Sequence, residues 1–105
     1  MTDYCIILVT VDQQNMAEEI AQALISHRLA ACVNLFPVHS VYTWEGQVEQ
    51  APEWQLTIKT DASLFEAIEQ MLATLHPYDV PEIIALPILK GNAAYLAWLT
   101  DVTHS

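Results

Sequence analysis

The sequence predicts an α+β fold whose elements follow the order β-α-β-β-α-β, closed by a further helix at the C-terminal end. Three observations carry this reading. A nearly continuous β-branched run occupies Tyr4–Val11, and two long β-type stretches, Ala31–Trp44 and Gln47–Thr60, meet at Glu45-Gly46. Two stretches with apolar residues at helical spacing, Met16–Ser26 and Leu64–Leu75, lie between the strands. A chain of 105 residues is one domain's worth, and residues 1–105 are expected to form a single domain.

Each element has its own local cause. In the first strand, Cys5-Ile6-Ile7-Leu8-Val9-Thr10-Val11 is apolar on both faces, as a central strand should be. Asp12 or Asn15 can cap the helix that follows, with Met16, Ile20, Ala23, Leu24 and Ile25 turned inward and Glu18, Glu19 and Gln22 outward. His27 caps its C-terminal end. In the second arm of the hairpin, Trp54, Leu56, Ile58 and Thr60 share one face and Gln55, Thr57 and Lys59 the other. Gly46 supplies the positive φ of a tight turn. Pro37 and Pro52 each remove a ladder donor, which predicts bulges or edge positions. The distal hairpin is too long for a small sheet to cover and should project toward another subunit.

Asp61, or alternatively Ser63 with Glu66, caps the second helix. Its buried stripe is Leu64, Ile68, Met71, Leu72 and Leu75, and His76-Pro77 ends it. Pro77-Tyr78-Asp79-Val80-Pro81 is a stiff loop, Ile83–Leu89 a fourth strand, Lys90-Gly91-Asn92 a turn, and Ala93–Leu99 a short terminal helix. The tail Thr103-His104-Ser105 is expected to fray. The order matches the ferredoxin-like split βαβ arrangement, an antiparallel sheet with both helices on one face. The other face then lacks cover, so a homo-oligomer is expected.

Composition narrows the function. The apolar fraction is 53% and the charged fraction 15%, too greasy for disorder. No apolar run approaches the roughly 20 residues of a membrane span, and Met1-Thr2-Asp3 lacks a basic signal-peptide region; a cytoplasmic protein is expected. Three basic residues (Arg28, Lys59, Lys90) stand against thirteen acidic ones, for a net charge of −10. Nucleic acid and anionic membranes are therefore excluded as partners, while cations are attracted.

Chemistry is sparse. Cys5 and Cys32 show no metal-ligand spacing and read as buried, unpaired thiols. With Gly46 and Gly91 the only glycines, no phosphate-cradling loop exists, and no nucleotide or organic cofactor is indicated. The aromatic set Tyr42, Trp44, Trp54, Tyr95 and Trp98 reads as core or interface. His76, Tyr78, Asp79 and Glu82 are held by two prolines, Pro77 and Pro81, in a stiff loop; imidazole with carboxylate suits a first-row divalent metal, although taken alone a satisfied loop histidine is the commoner reading.

Several motifs in register resemble one family. They are Ala30-Ala31-Cys32-Val33-Asn34, Ser40-Val41-Tyr42-Thr43-Trp44-Glu45-Gly46, Lys59-Thr60, His76-Pro77-Tyr78-Asp79-Val80-Pro81-Glu82-Ile83, and Gly91 followed by Tyr95-Leu96-Ala97-Trp98. The chain is similar over nearly its whole length to the CutA family of divalent-cation tolerance proteins. The resemblance implies a homotrimer of ferredoxin-like, P-II-like subunits whose long hairpins reach across to neighbours. It also implies a non-enzymatic role in tolerance to copper and other divalent metals. Carried onto this chain, the family's intersubunit cleft holds Lys59, His76, Tyr78, Glu82 and Trp98, with Trp44 nearby. His76 and Glu82 are then the donors to Cu(II) or another divalent cation, and Lys59, Tyr78, Trp98 and Trp44 line the cleft. Val9 and Leu75 stand where copper-binding members carry a cysteine and a further histidine, so Cu(I) affinity should be weak. Two other readings use the same residues: a P-II-like small-molecule sensor, and an enzyme with Lys59, His76 and Glu82 as acid–base groups. A lone Lys59 disfavours a triphosphate ligand, and no activated nucleophile supports catalysis.

Overall fold

The computed structural model describes residues 3–104, so what the sequence predicts for Met1, Thr2 and Ser105 lies outside the described residues. The chain runs β1 (Tyr4–Val11), α1 (Gln14–Ser26), β2 (Cys32–Trp44) and β3 (Gln47–Asp61). A 3-10 turn at Ala62–Leu64 leads into α2 (Phe65–Leu75), followed by β4 (Ile84–Pro87) and α3 (Ala93–His104). The strands form one antiparallel sheet in the order β2-β3-β1-β4.

Strand alternation sorts the side chains between two faces. Cys5, Ile7, Val9 and Val11 pair across the sheet with Thr60, Ile58, Leu56 and Trp54. On this face they pack against Ala17, Ile20 and Leu24 of α1 and Ile68 and Leu72 of α2. The core is thus a helix layer on one side of the sheet, as the element order predicts. Thr60, buried among these apolar groups, donates its hydroxyl hydrogen to the Leu29 carbonyl at 2.6 Å, which satisfies it.

The caps differ from expectation. Neither Asp12 nor Asn15 caps α1; Gln13 holds the position without a side-chain hydrogen bond. His27 does close the other end, its backbone N–H and its Nδ1 both meeting the Ala23 carbonyl. Asp61 caps the turn into α2 by accepting from the Ser63 amide at 2.8 Å. Burial alone would raise the Asp61 carboxyl. Its bonds to Ser63 and its contact with His104 override that and hold it below the usual carboxylate range.

The β2–β3 ladder runs without a bulge from Cys32↔Lys59 to Trp44↔Gln47. Pro37 and Pro52 are therefore edge residues instead of bulges. Pro37 lies on the outer strand, and Pro52 lies where β3 has already passed beyond β1, whose pairing stops at Trp54. The turn places Glu45 at φ 51° and Gly46 at φ 78°, two left-handed residues in succession, matching the right-handed twist of a tight hairpin.

Two expectations are corrected at the C-terminal end. The fourth strand is shorter than Ile83–Leu89, and its four residues are exposed. The terminal helix reaches His104 instead of stopping at Leu99, with no fraying at Thr103, which is buried. Helix α3 lies on the sheet face opposite α1 and α2. Tyr4 and Asp61 point to that face, and the Tyr4 hydroxyl meets Thr100 Oγ1 at 2.8 Å while Asp61 meets His104 Nε2 at 3.1 Å. The second face is therefore partly covered by its own chain. Beyond α3 it still presents Phe36 (42% exposed), Ile84 (49%) and Leu86 (47%).

Candidate functional site

The loop after α2 is fixed by a histidine. The ring of His76 is buried, and its Nε2 lies 2.7 Å from the Thr10 carbonyl at the end of β1. A carbonyl only accepts, so Nε2 carries the proton and donates. Nδ1 then accepts from the Tyr78 amide at 3.1 Å. The Tyr78 ring stands edge-on to the imidazole at a centroid distance of 4.7 Å.

That anchoring aims Tyr78 at the sheet. Its hydroxyl donates to Glu53 Oε2 at 2.5 Å, a charge-assisted bond that reaches 25 residues back along the chain. Burial, followed by the Glu53 carboxylate, pushes the Tyr78 hydroxyl well above its ordinary value, so it stays protonated. Burial, with Glu53 second, likewise raises the Glu82 carboxyl. Tyr42, Trp44, Tyr78 and Val80 wall a depression that also takes in Thr10, Glu53 and Glu82.

The sequence-predicted residues fall into two groups. His76, Tyr78, Glu82 and Trp44 gather around this depression or behind it. Lys59 does not join them: it pairs with Cys32, hydrogen-bonds Asn34, and lies six residues along β3 from Glu53, about 20 Å in an extended strand. Trp98 lies toward the same end of β3 as Lys59, linked to it through Tyr95 and Cys32. Its ring packs on Tyr95 at 5.4 Å, and the Tyr95 hydroxyl, raised by burial, neighbours the Cys32 thiol.

Both His76 nitrogens are occupied, so ligation would require one of these two bonds to open. Among the described residues, no group of three or more His, Cys, Asp or Glu side chains is placed to hold a metal ion. The thiols offer nothing in its place. Cys5 is on the helix-covered face and Cys32 on the other, and both are free. Burial raises the Cys5 thiol, which keeps it protonated.

Sequence reasoning missed Glu53. Its neighbour Trp54 faces the core, so alternation sends Glu53 to the opposite face, where a carboxylate is ordinarily solvated. It is buried because a residue of a distant loop lies over it, and no local pattern reports that.

The family model of the CutA1 divalent ion tolerance protein matches residues 5–102. The chain belongs to that family. The divalent-cation tolerance protein CutA of Thermus thermophilus is 46% identical over 99 residues, covering 93% of this chain and 96% of that one. Protein CutA of Mus musculus is 46% identical over 98 residues, covering 92% of this chain and 55% of that one, so this CutA1-family chain spans about half the mammalian protein. A structure of the periplasmic divalent cation tolerance protein CutA from Archaeoglobus fulgidus superposes with a TM-score of 0.95 at 35% identity, covering 96% of this chain and 99% of that one. CutA1 from Oryza sativa superposes with a TM-score of 0.94 at 44% identity, covering 99% and 96% respectively. The Thermus and Archaeoglobus relatives are named for divalent-cation tolerance and not for a catalysed reaction.

Proposed function

We propose that this chain acts as a non-enzymatic, homotrimeric divalent-cation tolerance protein, with metal held near a cleft between subunits. The observation that carries the reading is the division of the site. Two half-sites, Glu82 with Tyr78, His76 and Trp44, and Lys59 with Trp98, are separated by about 20 Å along β3 within one chain. A neighbouring copy that covers the exposed Phe36, Ile84 and Leu86 would bring one chain's first group against another's second. The unbroken hairpin provides the arm for such an exchange.

In this reading Glu82 is the first donor, and His76 becomes the second by releasing Thr10 or Tyr78, so metal occupancy would register as movement of the loop. Carboxylate with imidazole favours Cu(II) or another divalent cation over Cu(I). Two free thiols on opposite sheet faces accord with the reducing cytoplasm, in contrast to the archaeal relative named periplasmic.

Sedimentation combined with calorimetry tests this. A mass near three times 11.8 kDa is expected. Saturable Cu(II) or Zn(II) binding should weaken about tenfold or more in Glu82→Gln and in His76→Ala. Weak, salt-sensitive metal association that is unchanged in both variants would overturn metal ligation at these residues.

A further inference from the structure

The depression beside Tyr78 has a chemistry that a bare metal ion does not require. Three aromatic side chains, Tyr42, Trp44 and Tyr78, share it with Val80 and with three carboxyl groups, Glu53, Asp79 and Glu82. No Lys or Arg of the same chain lines it.

Glu53 is the decisive residue. It is 6% exposed, yet Tyr78 is its one hydrogen-bond partner among the described residues, and that bond uses one oxygen. A carboxylate can accept about four hydrogen bonds. No fully enclosed side-chain oxygen or nitrogen lacks a partner among the described residues, so the second Glu53 oxygen keeps some exposure, and Glu53 lines the depression. A nearly buried carboxylate with free acceptor capacity, Glu82 beside it, and aromatic rings as walls together specify a ligand. It must be positive, and it must have an apolar skin for the ring faces to contact.

We propose that this depression binds a small organic cation, an alkylated or primary ammonium whose charge lies against Glu53 and Glu82 and whose methyl or methylene groups pack on Trp44, Tyr42 and Tyr78. Ring faces attract such cations because the quadrupole presents negative charge there, and burial strengthens the attraction. A hydrated divalent ion gains little from ring faces and wants several oxygen donors in place. The site shares Glu82 with the metal reading above but does not depend on it.

The test titrates the full, assembled chain with choline and with its neutral isostere 3,3-dimethylbutan-1-ol, using lithium chloride as the ionic-strength control. The readouts are calorimetry and tryptophan fluorescence. Saturable choline binding is expected, about tenfold or more tighter than the neutral analogue. It should fall by a similar factor in Glu53→Gln, whose amide oxygen still accepts from Tyr78, and in Trp44→Leu. Circular dichroism confirms that both variants are folded. Equal binding of the two compounds, binding that either variant leaves untouched, or no choline binding at ~100 mM would each overturn the proposal. A Cu(II) titration of the same samples separates the two readings: metal bound with choline silent sinks this one alone, and choline bound with metal indifferent sinks the other alone.

Discussion

His76 does more for the loop's architecture than its exposed neighbours suggest. It ties the end of β1 to the residue after Pro77, and through Tyr78 it reaches Glu53. Replacing it with alanine leaves the Thr10 carbonyl and the Tyr78 amide without partners. His76→Ala should therefore lose about 1–3 kcal/mol in urea denaturation, before any effect on ligands. The asparagine variant, able to restore one bond, should recover part of it. Asp61 gives a second prediction at this scale. Its carboxyl is held low in the folded chain, so its stabilising contribution is complete above the unfolded value of about 3.9 and fades as pH falls through the lower folded one. Asp61→Ala should cost about 1 kcal/mol at pH 7, and the gap to the parent chain should close in the most acidic part of a pH-resolved stability series. His104, exposed, contributes little of this. At this scale the sequence was only partly legible. The His-Pro-Tyr motif and Asp61 could be read because Pro and Asp act on adjacent backbone. Glu53 could not, since its partner is 25 residues away.

Among the elements, the hairpin turn departs from the local optimum. Glu45 occupies a left-handed conformation that an L side chain with a long stem adopts at a cost. Glu45→Asn should raise stability by a few tenths to about 1 kcal/mol by thermal melting, and Gly46→Ala should lower it by a similar amount. The penalty at Gly46 is purely conformational, because an added Cβ there meets nothing within 4 Å. The elements also show where pattern reading succeeds. Strand β1 keeps its predicted bounds because a β-branched run buried on the helix side leaves few alternatives. Strand β4 shrinks because the apolar run at Ile83–Leu89 serves an exposed face and pairs only with Cys5–Leu8. Helix α3 lengthens because Leu99 and Thr103 bury themselves, and Thr100 and His104 bond to β1 and β3. Those tertiary contacts override the weak helix propensity of Thr100, Asp101 and Thr103. Leu99→Ala should cost about 2–5 kcal/mol and loosen α3 from the sheet, as amide exchange would report.

At the level of the molecule, charge and apolar surface oppose each other. Each chain carries −10, which repels its copies, while Phe36, Ile84 and Leu86 leave apolar area to be covered. Assembly should therefore tighten as salt screens the repulsion, and sedimentation across ionic strength reads this directly. Phe36→Asp combined with Leu86→Asp should yield folded single subunits. Both side chains lie on the face away from the core shared by α1 and α2, so the core loses nothing.

The two prolines of the hairpin have a consequence of their own. A long, straight pair of strands with free margins is the shape that templates runaway fibre growth. Pro37 sits on one margin and Pro52 on the other, and each deletes an amide that an incoming strand would need. They act as gatekeepers, so the arm stays open to the closed assembly proposed above but is a poor seed for an endless ribbon.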